Sequence, residues 1–275
     1  MMTQNTCLPN WQWNTWEELP YITCSLLESW NHGFFTQHFS PRSPSQIVGA
    51  LQPEAQVYRV RQVHGNTVLT PSEIEGAAPV VPIQEEMAPE RPPADGILTE
   101  QPQQAVWVCS ADCTPVLIAD EKTGQVAAIH AGWRGTASRI VPNAIARLLN
   151  SGSRREHLRI AMGPAIAGEV YQVSEAVAAE VGASIVSSDT ADTPEMIIEV
   201  LQQLPDSPLL HDPEPGRVRL DVRRVNAIQL EQLGIQPEQI AIAPHCTYQE
   251  PEHFFSYRRN KLKQVQWSGI VSKTP

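Results

Sequence analysis

Three short segments place an imidazole or a thiol beside a turn: RQVHG with His64, SADCTP with Cys113 and IHAGWRG with His130. Each follows a run of β-forming residues. A rigid strand that ends at a glycine or proline turn fixes the direction of a side chain and leaves room for a ligand. Imidazole and thiolate are favoured ligands of Zn2+, and three protein ligands leave a fourth position for water or substrate, the arrangement of a catalytic zinc. Taken singly, each residue also has an ordinary explanation, since a strand-end histidine can be a hydrogen-bonded structural residue and a free cysteine packs as a small hydrophobe. The three lie far apart along the chain, with no local zinc spacing, so a Cys1His2 site is an expectation that only convergence in space can meet. A different chemistry from the same residues takes Cys113 as a nucleophile and His130 as its base, a dyad acting on an amide or ester.

Further candidates surround these three. Cys109 precedes Cys113 by four residues, which returns to the same face of a strand; we expect Cys109 in the core and Cys113 facing the site. The run HAGWRGTAS sets small residues ahead of a helix, so its amides and Arg134 could meet an anion, and MGPAIAG from Met162 has a similar look. Tight turns that need glycine explain both equally well. In FFSYRR, strand alternation places Phe255 and Tyr257 on one face and Ser256 and Arg258 on the other, which could offer a base or a phosphate a surface.

The elements that must position these residues are mostly short strands: VYRVRQV from Val57, AVWVCSA from Ala105, PVLIA from Pro115, QVAAIHA from Gln125, LRIAMG from Leu158, IAIAP from Ile240 and HFFSYRR from His253. Ile140, Val141, Ala144, Ile145, Leu148 and Leu149 recur at helical spacing, and Asp221 is a fitting N-cap for VRRVNAIQLEQL, which ends at Gly234. Strict βαβ alternation, a G-x-G-x-x-G fingerprint and a P-loop are all missing. The pattern predicts an α+β fold, mixed β-sheets covered by helices. Residues 1–20, with Trp11, Trp13 and Trp16, read as an irregular N-terminal arm, and 21–275 as a single domain. Proline-rich 71–93 reads as a loop, because proline propagates neither regular structure. Residues 187–216 read as a peripheral excursion with one helix around Met196 to Leu204.

The formal net charge of -10 argues against nucleic acid as a partner, because phosphate backbones are bound by clustered Lys and Arg. No apolar run approaches the ~18 residues of a membrane span. No Lys or Arg precedes Arg42, so neither a secretory signal nor a transit peptide is expected, and we expect a cytoplasmic protein. Five scattered cysteines read as reduced thiols rather than a disulfide framework.

Taken in order, QVHG (62–65), ADG (94–96), SADCTPVLIAD (110–120), HAGWRGT (130–136) and CTYQEPEHFFSYRR (246–259) resemble the polyphenol oxidase or laccase-domain (YfiH-like) family of purine nucleoside phosphorylases. The resemblance runs from about Gly33, through MGPAIAG and the LDVRRVNAIQLEQLG helix, to near the C-terminus. It implies a YfiH-like α+β sandwich with one Zn2+ held by His64, Cys113 and His130. It implies phosphorolysis of adenosine, inosine, guanosine and methylthioadenosine, and hydrolytic deamination of adenosine, so purine nucleosides and phosphate are the expected partners. Gln62, Arg134, Tyr257 and Arg258 fall where substrate contacts are expected. One position departs from the family pattern: Gln37 follows Thr36 where an arginine is usual, which removes a cationic group, so that either Arg42 takes over part of its role or phosphorolysis is weakened relative to deamination. The family name also raises copper and phenol oxidation. A multicopper oxidase needs H-x-H pairs, and no two histidines here are separated by one residue; a single copper at the His2Cys site is the form this alternative takes. A non-catalytic nucleoside-binding protein completes the alternatives.

Overall fold

The structure is a computed structural model that describes residues 10–77 and 91–275. Two six-stranded mixed sheets and a smaller three-stranded sheet form its frame. The first sheet runs in the order Trp11–Trp16, Leu19–Cys24, His32–Phe35, Gln266–Val271, Gln104–Ser110, Gln56–Tyr58. The second runs Ile240–Ile242, Leu158–Met162, Thr114–Asp120, Val126–Ala131, Gly96–Leu98, Val68–Leu69. Parallel and antiparallel neighbours occur in both, as in the pairing of Gln104–Ser110 with Gln56–Tyr58 on one side and with Gln266–Val271 on the other. The α+β expectation holds.

Period-two alternation builds the layers. In the Gln104–Ser110 strand, Val106 and Val108 point into a core shared with Leu117, Ala119 and Ala128 of the second sheet, while Ala105 and Trp107 point outward to Phe35, Phe39 and Ile47. The opposite parity of the second sheet, Val116, Ile118 and Ile129, meets Ile140, Val141, Ala144, Ile145 and Leu148 of the helix Ile140–Asn150. The Val222–Gln232 helix lies beside it through Ala227 and Leu230. Asp221 caps this helix, its side chain accepting from the amides of Arg223 and Arg224. The three-stranded sheet, with the helices Glu175–Gly182 and Pro194–Gln202, makes a separate small core around Leu201, Val218 and Leu220.

Several local expectations change. The irregular arm is a β-hairpin from Trp11 on: Trp11 to Trp16 pair antiparallel with Cys24 to Leu19. Its two-residue turn, Glu17 and Glu18, has φ 48 and 64 at both central positions. That backbone usually takes Asn-Gly, so Glu-Glu carries no turn signal. Trp11 meets Phe34 at 5.5 Å on one face and Trp16 stacks on Phe39 at 6.3 Å on the other, which is the alternation hidden in WQWNTW. Residues 1–9 lie outside the described residues. Of the proline-rich loop, Pro71–Gly76 is a helix closed by a capping box between Thr70 and Glu73, and 78–90 lie outside the described residues. Of the Val57 run only Val57 and Tyr58 enter a ladder, in the strand Gln56–Tyr58, and Arg61 makes an isolated bridge to Pro93. HFFSYRR is no strand: the Phe255 amide goes to the Gln266 side chain at 3.0 Å and the Arg258 amide to Asp112 at 2.7 Å, so the ladder has no donors, and Tyr257–Asn260 is a helical turn capped by Ser256. The excursion at 187–216 does carry its one helix, and adds the strand Leu209–His211.

Candidate metal centre

His64, Cys113 and His130 converge, with one ligand atom from each lying within 4.8 Å of the others. The imidazoles meet edge to face at 4.9 Å between centroids. His130 is the next-to-last residue of its strand and is buried. Cys113 sits in the turn between Gln104–Ser110 and Thr114–Asp120. His64 lies in a loop beyond its strand and is exposed.

Two aspartates hold this arrangement. Asp95, fully buried, accepts the amides of Val63, His64 and Gly65 at 3.1, 2.9 and 2.7 Å. The same carboxylate takes the His130 Nδ1 hydrogen at 2.9 Å. That bond fixes Nδ1 as a donor, so it is Nε2 that would give up its hydrogen and offer a lone pair to a metal, the usual support for a metal-binding histidine. His64 has a left-handed backbone, φ 62, and Asp112 another, φ 86; each costs about 1–3 kcal/mol in a residue other than glycine. The Asp95 cradle offsets the first. The second is offset by Asp112, whose carboxylate accepts Thr247 Oγ1 at 2.8 Å and the Arg258 amide at 2.7 Å and whose carbonyl accepts the Ile166 amide at 2.9 Å. Gly132 completes the wall: a Cβ there would stand 2.8 Å from Cys113 Sγ and 3.4 Å from His64 Cδ2.

The electrostatics favour a thiolate. Burial alone raises the Cys113 pKa, but the charge and hydrogen bonds of His130, then those of His64, outweigh it and bring it down to about 6. Burial lowers that of His130, yet the thiolate and Asp95 carry it up to about 9. Cys109, half-buried, is pushed up to about 11, chiefly by burial, and stays a thiol. The donor set fits a zinc ion in its chemistry: two imidazole nitrogens and one thiolate, their ligand atoms gathered within 4.8 Å of one another, are the ligand types zinc takes.

Beside these three residues lies a small cleft, lined by Asp112, Cys113, Gly132, Trp133 and Tyr171 among others. Two aromatic–cation stacks stand here: Arg134 lies 4.2 Å over the Trp133 ring and Arg258 lies 4.6 Å over the Tyr171 ring. The Trp133–Ala137 helix that carries Arg134 is pinned from behind by Asn226 and Gln229, which donate to Thr136 Oγ1 at 3.0 Å and Thr136 O at 2.9 Å.

Other predicted residues sit differently. Both ends of the Gln62 amide are taken by the Cys109 backbone, at 2.7 and 2.8 Å, so it braces the loop before His64 like a missing strand residue. Tyr257 is half exposed, under Lys261. Gln37 donates to Pro251 O at 2.7 Å. Arg42 is paired with Glu17 at 2.7 Å and lies over Trp16, so it is committed elsewhere. Asp95, Trp133 and Tyr171 were given no role by the sequence. Asp95 had a signal, an Asp before Gly at the start of a strand; Tyr171 had none.

A two-sheet α+β sandwich with a His2Cys cluster at one end of the two central strands of its second sheet is the class this architecture defines. The chain belongs to the family described as multi-copper polyphenol oxidoreductase laccase, whose model matches residues 44–271. A Synechocystis sp. protein named purine nucleoside phosphorylase is 52% identical over 95% of this chain and 97% of its own. A protein named adenosine deaminase RL5, from an unknown prokaryotic organism, is 28% identical over 65% of this chain and 62% of its own. The crystal structure of YlmD from Geobacillus stearothermophilus superposes with a TM-score of 0.72 at 20% identity, over 96% of this chain and 99% of that one, and shares the fold.

Proposed function

We propose that the chain is a zinc-dependent purine nucleoside phosphorylase acting on adenosine, inosine, guanosine and methylthioadenosine, with a second, hydrolytic activity that deaminates adenosine. The observation that carries this reading is the convergence of His64, Cys113 and His130 beside a cleft in a chain 52% identical to a protein of the first name. The 28% relative named for the second activity supports the deaminase half. No helix among the described residues is long and apolar enough to cross a membrane, in keeping with an enzyme of the cytoplasm.

In phosphorolysis an oxygen of hydrogen phosphate bonds to C1′, the C1′–N9 electron pair leaves on the purine, and the hydrogen of the phosphate ends on the base. His64, Cys113 and His130 hold the ion; when bound, zinc supplies Lewis-acid polarisation beside the purine. Arg134 and Arg258 provide positive charge at the cleft, which an anionic substrate needs in a chain of net charge -10. Trp133 and Tyr171 offer flat walls for a base.

A copper-loaded site remains the form of the oxidase alternative, since Cu2+ outranks Zn2+ in raw affinity. A Cys113–His130 hydrolase dyad has no use for His64, whereas a metal does. Metal analysis of the purified chain, followed by incubation with adenosine with and without phosphate, separates these. Adenine and ribose 1-phosphate appearing only with phosphate support phosphorolysis, and inosine supports deamination. Protein holding copper and oxidising phenols, or holding no first-row metal, sinks the zinc reading.

A further inference from the structure

In the phosphorylase reading the nucleoside presents its base to the cleft whose walls include Asp112, Cys113, Thr114, Trp133 and Tyr171. The side chains that could address that base are few. Both Asp112 oxygens are committed to Thr247 and Arg258, Cys113 belongs to the metal set, and Thr114 is 1% exposed within its strand. Two donors are left, the Trp133 indole N–H and the Tyr171 hydroxyl. Among the described residues neither has a hydrogen-bond partner, and of the two the Tyr171 hydroxyl stands on a ring held by Arg258, in the wall of the cleft beside Cys113.

Its ring is also held. The Tyr171 amide donates to Gly168 O at 3.2 Å and its carbonyl accepts the Leu220 amide at 3.1 Å. Arg258 lies over the ring at 4.6 Å, and is itself anchored through Nη1 to Gln172 O at 2.7 Å and through its amide to Asp112 at 2.7 Å. The stack with the guanidinium fixes the plane of the ring and with it the position of the hydroxyl. A fixed, unsatisfied donor is suited to a group that gains negative charge during reaction.

We propose that the Tyr171 hydroxyl is the donor to the purine, bonding a ring nitrogen and tightening as the C1′–N9 electron pair moves onto the base. This rests on the phosphorylase reading. Tyr171 keeps its own proton, because the hydrogen the base acquires comes from hydrogen phosphate.

The test is Tyr171→Phe in the full zinc-loaded chain, which keeps the ring and the Arg258 stack. Zinc content and melting temperature match wild type, while kcat for adenosine phosphorolysis falls by about tenfold to a hundredfold, the worth of a hydrogen bond to a charged group. With 6-chloropurine riboside, whose electron-poor base leaves without help, the loss shrinks to less than about threefold, and the KM for phosphate is unchanged with both. A structural role would lower both substrates alike, so equal losses, or none, overturn the assignment. Wild-type protein that cleaves neither nucleoside in phosphate overturns the phosphorylase reading, and this inference with it.

Discussion

Replacing Asp95 with Asn tests the claim that one buried carboxylate assembles the metal site. Each of its oxygens accepts two hydrogens: Oδ1 from the His64 amide and His130 Nδ1, Oδ2 from the amides of Val63 and Gly65. An asparagine amide turns one oxygen into a donor, so whichever way it is seated, two of the four hydrogens meet an N–H group. Bonds to a charged group are each worth about 1.5–3 kcal/mol, so the loss is about 3–6 kcal/mol. For a chain of this size that corresponds to a melting temperature lower by roughly 6–24 °C. Measured on chelator-treated protein, the drop reports the cradle alone, without the contribution of bound metal. The second consequence is at the ion: His130 loses its tautomer anchor or His64 its backbone support, and zinc affinity, read by competition with a chromogenic chelator, falls by roughly tenfold to a hundredfold. An Asp95→Asn protein that melts within about 2 °C of wild type and competes for zinc equally well would refute the reasoning, because two of the four bonds to a fully buried carboxylate cannot be lost without cost.

Gly132→Ala should keep the fold, since its φ of -72 and ψ of 170 suit alanine, yet lower zinc content through the 2.8 Å approach of the new Cβ to Cys113 Sγ; metal stoichiometry beside an unchanged circular dichroism spectrum checks this. Gln62→Ala should weaken zinc binding with little change in the KM for nucleoside, because its amide braces Cys109 rather than facing the cleft; a KM effect without a metal effect would make it a substrate contact after all. The Tyr58 phenol, pushed up to about 12 by burial and then by Glu75, is held neutral by the fold. A raised phenol pKa means this stabilisation is complete below the unfolded value of about 10 and fades as pH rises from there towards 12. Melting curves between pH 8 and 11 should therefore decline more steeply for wild type than for Tyr58→Phe, and parallel declines would count against it.

The outline of the fold was legible where hydrophobic periodicity is strong. The runs from Ala105, Pro115, Gln125 and Leu158 are all strands, and Asp221 caps its helix as expected. It failed where local signals mislead. Glu17 and Glu18 turn a hairpin without glycine, and 254–259 has β-forming residues whose amides are claimed by Gln266 and Asp112. The same holds for the site: the three residues that could hold a metal were legible as types next to turns, while Arg42 looked available and is bound to Glu17.

By itself the sequence determined which chemistry the chain could carry, because imidazole and thiolate are properties of His64, Cys113 and His130 whatever surrounds them, and the order of motifs reaches the family. The tertiary structure decided that these three meet, that Asp95 and Asp112 stabilise the two left-handed residues flanking the centre, and that Gln62 braces while Tyr171 faces the cleft. The reason is physical: a side chain's chemistry is local, but its direction, its burial and the partners left free to it are set by residues tens of positions away, and no periodicity in the chain encodes them.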